Sequence, residues 1–258
     1  MTGSSSGIGE AFAEVFAADG YDLVLVARRR DRLEGVAARL RQAYGRTVHV
    51  ITADLSQADA PRRLCEELEA RAIAIDALVN NAGYGVPGAF LKSPWQRHAD
   101  FLTVMVVAVA ELTYRLLPAM VARGHGRILN VASLAGLVPA PAGHTLYGAS
   151  KAFVIKFSEA LAHEVRGQGV LVTAVCPGFT LSEFHDVTGT RDSVSRLPTL
   201  LWMDAADVAR EGYAANAGGT SIYVTGGVNR LLAWLVRTMP QGIVSAVNRR
   251  AARSYRHT

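Results

Sequence analysis

The sequence predicts an α/β protein built on a doubly wound parallel sheet, and three observations predict it. Short β-branched runs alternate with longer runs of helical periodicity, each run is bounded by Gly, Asn, Asp or Pro, and a glycine-rich turn opens the first helix. YDLVLVA (21–27), TVHVIT (47–52), IDALVN (75–80), GRILNVA (126–132), VLVTAVC (170–176) and SIYVTG (221–226) read as strands. Helical patterns lie near 8–18, 30–44, 59–71, 95–122, 148–166 and 204–215. Strand and helix in this alternation give a sheet covered on both faces. The chain of 258 residues suits a single domain over 1–226, followed by a basic, partly amphipathic tail over 227–258. Two loops, 83–94 and 178–200, break the regularity. In an open α/β sheet ligands sit beyond the carboxyl ends of the strands, so these loops are candidates for substrate contact.

Composition excludes several classes. Half the residues are hydrophobic and 19% are charged, which is a globular balance and not a disordered one. Cys65 and Cys176 fit neither a CxxC nor a metal-ligand spacing, so no metal is expected and a reducing, cytoplasmic setting is the simple reading. The apolar run FLTVMVVAVA (101–110) meets Glu111 and Arg115 too soon for a spanning helix. The net charge of +5 belongs to the tail. After Glu211 no acidic residue occurs, while Arg230, Arg237, Arg249, Arg250, Arg253 and Arg256 are cationic. Nucleic-acid binding would spread arginines along a face interleaved with aromatics, and none is expected here.

The chain opens MTGSSSGIGE. Gly3, Gly7 and Gly9 with Ser4, Ser5, Ser6 and Ile8 form a turn at the mouth of a helix, where glycine admits a pyrophosphate and unpaired N–H groups face it. A plain structural turn is the alternative reading. The next strand ends Val26-Ala27-Arg28. A ribose 2′-OH calls for a carboxylate near this point and a 2′-phosphate for a cation. Ala27 is no carboxylate, and Arg28 suits a phosphate through paired hydrogen bonds, so NADP(H) is favoured over NAD(H). Arg29 and Arg30 read as the solvated start of a helix.

Ser133 follows a strand, and Tyr147 and Lys151 are four residues apart on one helical face. A cation beside a phenol lowers its pKa, which would let Tyr147 exchange a proton with a carbonyl or alcohol near neutral pH. Alone, such a pair is a weak signal. Together, TGSSSGIG (2–9), Asp54-Leu55, NNAG (80–83), Ser133, YGASK (147–151) and PGFT (177–180) resemble the short-chain dehydrogenase/reductase family in order and spacing, over residues 2 to about 226. The resemblance implies a Rossmann-like fold and an oxidoreductase. It implies Tyr147 as acid/base, Ser133 as its partner and Lys151 on the nicotinamide ribose. Gly3, Ser4, Ser5, Ser6, Gly7, Ile8 and Gly9 would carry the pyrophosphate turn. Asp54 and Leu55 would face the adenine, Asn81, Ala82 and Gly83 the ribose region, and Pro177, Gly178 and Thr180 the nicotinamide. A homo-dimer or tetramer built on 95–122 and 148–166 also follows from the resemblance.

Two departures stand out. Where many members carry an asparagine that holds a water beside the lysine, this chain has Met105, which predicts slower turnover. Members also place five or six apolar residues ahead of the TG as a central strand, and here only Met1 precedes Thr2. The first strand is therefore expected to be missing from the given N-terminus, and Met1 reads as a start assigned late on an internal valine codon. Without that strand, neighbouring strands would keep unpaired buried backbone groups, each costing about 1–3 kcal/mol.

Beyond PGFT, Phe184, Leu197, Leu200, Leu201 and Trp202 resemble a lid over an apolar pocket suited to a hydrophobic ketone or secondary alcohol, such as an acyl-chain or lipid-like one. His144 and His185 read as ordinary loop residues. Val228–Met239 and 243–253 read as two helices, for which packing on the domain or a partner is favoured over peripheral membrane contact. The competing functional reading is a catalytically weak dinucleotide-binding sensor or scaffold.

Overall fold

Helices and strands alternate along the chain as the periodicity predicts. The computed structural model describes residues 1–140, 142–181, 183 and 198–239. The order is α1 (Gly7–Ala18), β1 (Leu23–Ala27), α2 (Arg30–Tyr44), β2 (Val48–Thr52), α3 (Ala60–Ala70) and β3 (Ala77–Asn80). There follow α4 (Trp95–Leu102), a π-helical turn (Thr103–Val107), α5 (Ala108–Arg123) and β4 (Gly126–Val131). Then come α6 (Thr145–Glu164), β5 (Val170–Cys176), β6 (Phe179–Leu181), β7 (Trp202–Asp204), α7 (Ala205–Ala217), β8 (Ile222–Val224) and α8 (Gly227–Thr238).

Every strand pair is parallel: β1 with β2, β3 with β4, β4 with β5, β5 with β8, and the short β6 with β7. The last pair falls partly in a stretch that reads as loop, and it joins segments some twenty residues apart in the chain. Strand side chains alternate between faces and are buried on both. One layer packs Phe12, Phe16, Leu33, Leu40 and Val208 of α1, α2 and α7 against Leu23, Leu25, Val79, Leu129 and Val175. The other packs Leu64, Leu68, Leu112, Met120 and Leu161 of α3, α5 and α6 against Val24, Val26, Leu78, Ile128 and Val172. Several buried polar side chains in the sheet are linked into a chain of hydrogen bonds, which offsets part of their desolvation. Asn80 Nδ2 donates to Asn130 Oδ1 at 2.9 Å, and Asn130 Nδ2 to Ser158 Oγ at 2.9 Å, tying β3, β4 and α6.

The α4–α5 rod, Trp95–Arg123, is long and apolar enough to cross a membrane by length and composition. It packs on the sheet instead, burying Phe101, Val104, Met105, Ala108, Leu112 and Met120. Glu111 and Arg115 pair on its outer side at 2.8 Å.

No strand precedes α1 among the described residues. Between β1 and β3, Met1 to Ser4 serve as a short splice. The Met1 amine donates to Val24 O at 2.8 Å, Val26 N to Met1 O at 2.9 Å, Thr2 N to Val79 O at 2.9 Å and Gly3 N to Val26 O at 2.8 Å. Thr2 thus bridges Val26 in parallel register. Below this splice, a cavity of about 450 Å³ separates the two edges, lined by Leu23, Val24, Ala77, Leu78, Leu112 and Tyr21. Burial of the Met1 ammonium pushes its pKa down to about 5.

Candidate active site

The first β-to-α turn is shaped by its glycines. Gly3 sits at φ +65°, and a Cβ on Gly9 would meet Gly3 O at 2.3 Å, so both positions exclude side chains. Asn81 Nδ2 holds this turn from the side, donating to Thr2 O at 3.1 Å and Gly3 O at 3.0 Å. The turn delivers the chain into α1 with its N-terminal N–H groups facing a cleft, the arrangement that attracts a phosphate.

That cleft measures about 1030 Å³ and runs past the switch point between β1 and β3, at the upper end of the roughly 300–1,000 Å³ typical of ligand pockets. Gly3, Ser5, Ser6, Gly7 and Ile8 line its middle, and Arg28, Arg29, Asp54 and Leu55 one end. Asn81, Ala82, Gly83, Ser133, Tyr147, Lys151, Pro177, Gly178 and Thr180 line the other. Most of the expected cofactor residues therefore share one wall. Ser4 and Gly9 do not. Ser4 is fully buried, accepting from Val26 N at 3.0 Å and donating to Met1 O at 3.3 Å, and Gly9 packs against the turn itself. Both contribute to the packing of the turn.

Arg29 is the exposed N-cap residue of α2, as the sequence reading has it, and it also reaches the turn. Its Nη2 donates to Ser5 Oγ at 3.1 Å and Ser6 Oγ at 3.2 Å, which brings its guanidinium over the glycine-rich turn. Glu183 accepts from Arg29 at 3.2 Å and also from Arg32. Those guanidiniums hold its carboxyl below the usual range, the Arg32 hydrogen bond first.

Ser133 stands where β4 ends, extended at φ −171°. Its Oγ accepts from Ala135 N at 3.1 Å, which fixes the rotamer, and it hydrogen-bonds the Tyr147 phenol. Lys151, one turn further along α6, is buried. Its Nζ donates to Val131 O at 2.7 Å and lies 5.8 Å from the centre of the Tyr147 ring. The three side chains meet because α6 packs its first turns against the end of β4.

The electrostatics differ from the sequence expectation in one respect. Desolvation pushes the Tyr147 phenol up to about 12, outweighing the Ser133 hydrogen bond, which acts downward. Burial also pulls Lys151 down to about 8. The lysine donates to a backbone carbonyl and sits beside the ring, and burial sets the direction of the phenol's shift. Tyr147 is consequently a protonated acid at neutral pH. Burial likewise lowers the pKa of His144, which lines the same cleft. Leu134, Val138, Tyr84 and Phe179 add apolar walls beside the Ser–Tyr–Lys group.

Met105 lies in the π-helical turn, 2% exposed among Leu55, Phe101, Val104 and Ala108. Its Sδ would come within 3.0 Å of a Cβ on Gly83, so the thioether fills the floor under the NNAG segment. Phe184, His185 and Leu197 lie outside the described residues, as does the expected helix over 243–253.

The residues present fit a nicotinamide dinucleotide: a side-chain-free turn at a helix N-terminus, guanidiniums at one end and a hydroxyl, phenol and amine at the other. A parallel sheet with such a cleft at its switch point defines a dinucleotide-dependent oxidoreductase of the α/β class. The chain belongs to the short chain dehydrogenase family, whose model matches residues 1–192. Nodulation protein G of Rhizobium sp. (strain N33) is 36% identical over 88% of this chain and 95% of its own length. The very-long-chain 3-oxoacyl-CoA reductase of Homo sapiens is 34% identical over 72% of this chain, which spans 60% of that protein. Among solved structures, a short-chain dehydrogenase from Sphingobium yanoikuyae in complex with NADPH is similar at TM-score 0.80 and 33% identity, covering 95% of this chain and 93% of its own. The bulky-bulky ketone specific alcohol dehydrogenase from Comamonas testosteroni is similar at TM-score 0.75 and 29% identity, over 93% of this chain and 94% of its own.

Proposed function

We propose that this protein is an NADPH-dependent reductase that converts a hydrophobic ketone into a secondary alcohol. The observation that carries the reading is the convergence of Ser133, Tyr147 and Lys151 on one end of a cleft whose other end holds Arg28 and Arg29. When bound, the dinucleotide supplies a hydride from nicotinamide C4. Ser133 and Tyr147 hold the carbonyl oxygen by hydrogen bonds, which polarises the carbon toward that hydride. Tyr147 gives its phenolic proton to the oxygen as charge develops there, and its elevated pKa keeps the proton available at neutral pH. Lys151, buried at the ribose end, fixes the cofactor's hydroxyls and compensates the phenolate left behind.

Cofactor choice follows from charge: no carboxylate stands at Ala27, and the guanidiniums of Arg28 and Arg29 suit a 2′-phosphate. The apolar walls at Tyr84, Leu134, Val138 and Phe179 support a substrate with a hydrophobic body. Relatives named for very-long-chain 3-oxoacyl-CoA and bulky ketones support the same class. Exposed Val107, Tyr114 and Phe153 on α4–α5 and α6 support a homo-oligomer through those helices, and a cytoplasmic setting agrees with two buried free thiols.

The test mixes the full chain with NADPH or NADH and a panel of aliphatic and aromatic ketones, following loss of reduced-nicotinamide absorbance. Turnover should favour NADPH, and Tyr147→Phe should lower it about 10²–10⁴-fold while leaving NADPH binding in place. Tight NADPH binding with no oxidation on any ketone, before or after the substitution, would instead identify a dinucleotide sensor.

A further inference from the structure

Helix α8 has two unlike sides. Asn229, 3% exposed, Ala233 and Val236 turn toward the domain, with Asn229 Nδ2 donating to Thr225 O at 3.0 Å. Leu231, Trp234 and Leu235, spaced i, i+3 and i+4, form the opposite side and are exposed: Leu231 56%, Trp234 60% and Leu235 39%. Leu232 and Met239 extend this outward face at its edge, and both are exposed. The sequence reading favoured packing of this apolar set on the domain or a partner. Leu231 and Trp234, at the centre of this set, stay more than half exposed.

The helix is nevertheless firmly rooted. Arg230 Nη1 donates to Glu211 at 3.3 Å and to the Tyr223 phenol at 3.0 Å. Its guanidinium also lies 5.7 Å from the Tyr223 ring centre. An outward apolar stripe on an anchored helix must find an apolar surrounding or pay for its hydration, at about 25 cal/mol per Å².

Charge says which surrounding. From residue 212 onward the chain has no Asp or Glu, and it carries Arg230 and Arg237 on one flank of α8, then Arg249, Arg250, Arg253 and Arg256. Trp and Leu on one helical side, with cations beside and beyond them, match the layout of a helix lying in a bilayer interface: rings and aliphatic chains among the acyl chains, guanidiniums at anionic headgroups. A second copy of this chain would bring its own six arginines against these, an arrangement that like-charge repulsion disfavours.

We propose that the outward face of α8 docks the protein on an anionic lipid surface. This docking is independent of the reaction the cleft performs.

The test uses the full-length protein with sedimented vesicles of phosphatidylcholine alone or with phosphatidylglycerol added. Protein should pellet with the anionic vesicles and much less with the neutral ones, and added salt should release it. Trp234→Glu and Leu231→Glu should each reduce the bound fraction about tenfold, and Trp234→Phe should retain it. These side chains face solvent, so circular dichroism and NADPH binding should be unchanged and confirm folding. Failure of the unaltered protein to bind anionic vesicles would overturn the proposal. So would binding that survives both glutamate substitutions, which would assign it to the basic segment alone. A dimer in sedimentation velocity that Trp234→Glu dissociates would assign the face to a second copy instead.

Discussion

Glu183 places a carboxylate on the guanidiniums of Arg32 and Arg29, the second of which reaches the glycine-rich turn. A carboxylate and a 2′-phosphate compete for the same donors, so Glu183 tunes cofactor choice. Glu183→Gln should tighten NADPH binding about threefold, a modest effect because all three side chains are partly exposed, and leave NADH nearly unaffected. Fluorescence titration with each cofactor checks it, and equal tightening of both would refute the competition. Met105 raises a different question. Met105→Asn puts an amide among Leu55, Phe101 and Val104, costing roughly 1–3 kcal/mol of stability, while turnover should rise if the proton path runs there. Thermal denaturation and kcat together separate the two effects. Individual residues were read unevenly from the sequence. The Ser133, Tyr147 and Lys151 group is legible because a four-residue spacing survives any detail of packing. The reach of Arg29 to the turn, the inward placement of Ser4 and the phenol's upward shift depend on which way a side chain points and how dry its surroundings are, and neither is written in spacing.

At the scale of elements, periodicity located the helices and the strands β1–β5 and β8 within a few residues. It missed β6 and β7, whose pairing depends on chain brought back from far away. For the same reason the helix α8 was legible as amphipathic, while the side its apolar stripe takes was not. Periodicity defines a face and tertiary contacts choose its direction.

For the molecule as a whole, the sheet consists of β1 and β2 on one side and β3, β4, β5 and β8 on the other, meeting at Met1 to Ser4. Residues of the proposed pyrophosphate turn belong to that meeting point. NADPH at a hundred times its dissociation constant should add about 2.7 kcal/mol, or roughly 5–10 °C in melting temperature for a chain of this size. Scanning calorimetry with and without NADPH checks the figure, and NADP⁺ should act likewise. The join gives that stabilisation a mechanical sense. A ligand seated on the seam would work as a rivet through two plates, so that loss of coenzyme would loosen the cleft and, with it, the grip between the two halves of the protein's spine.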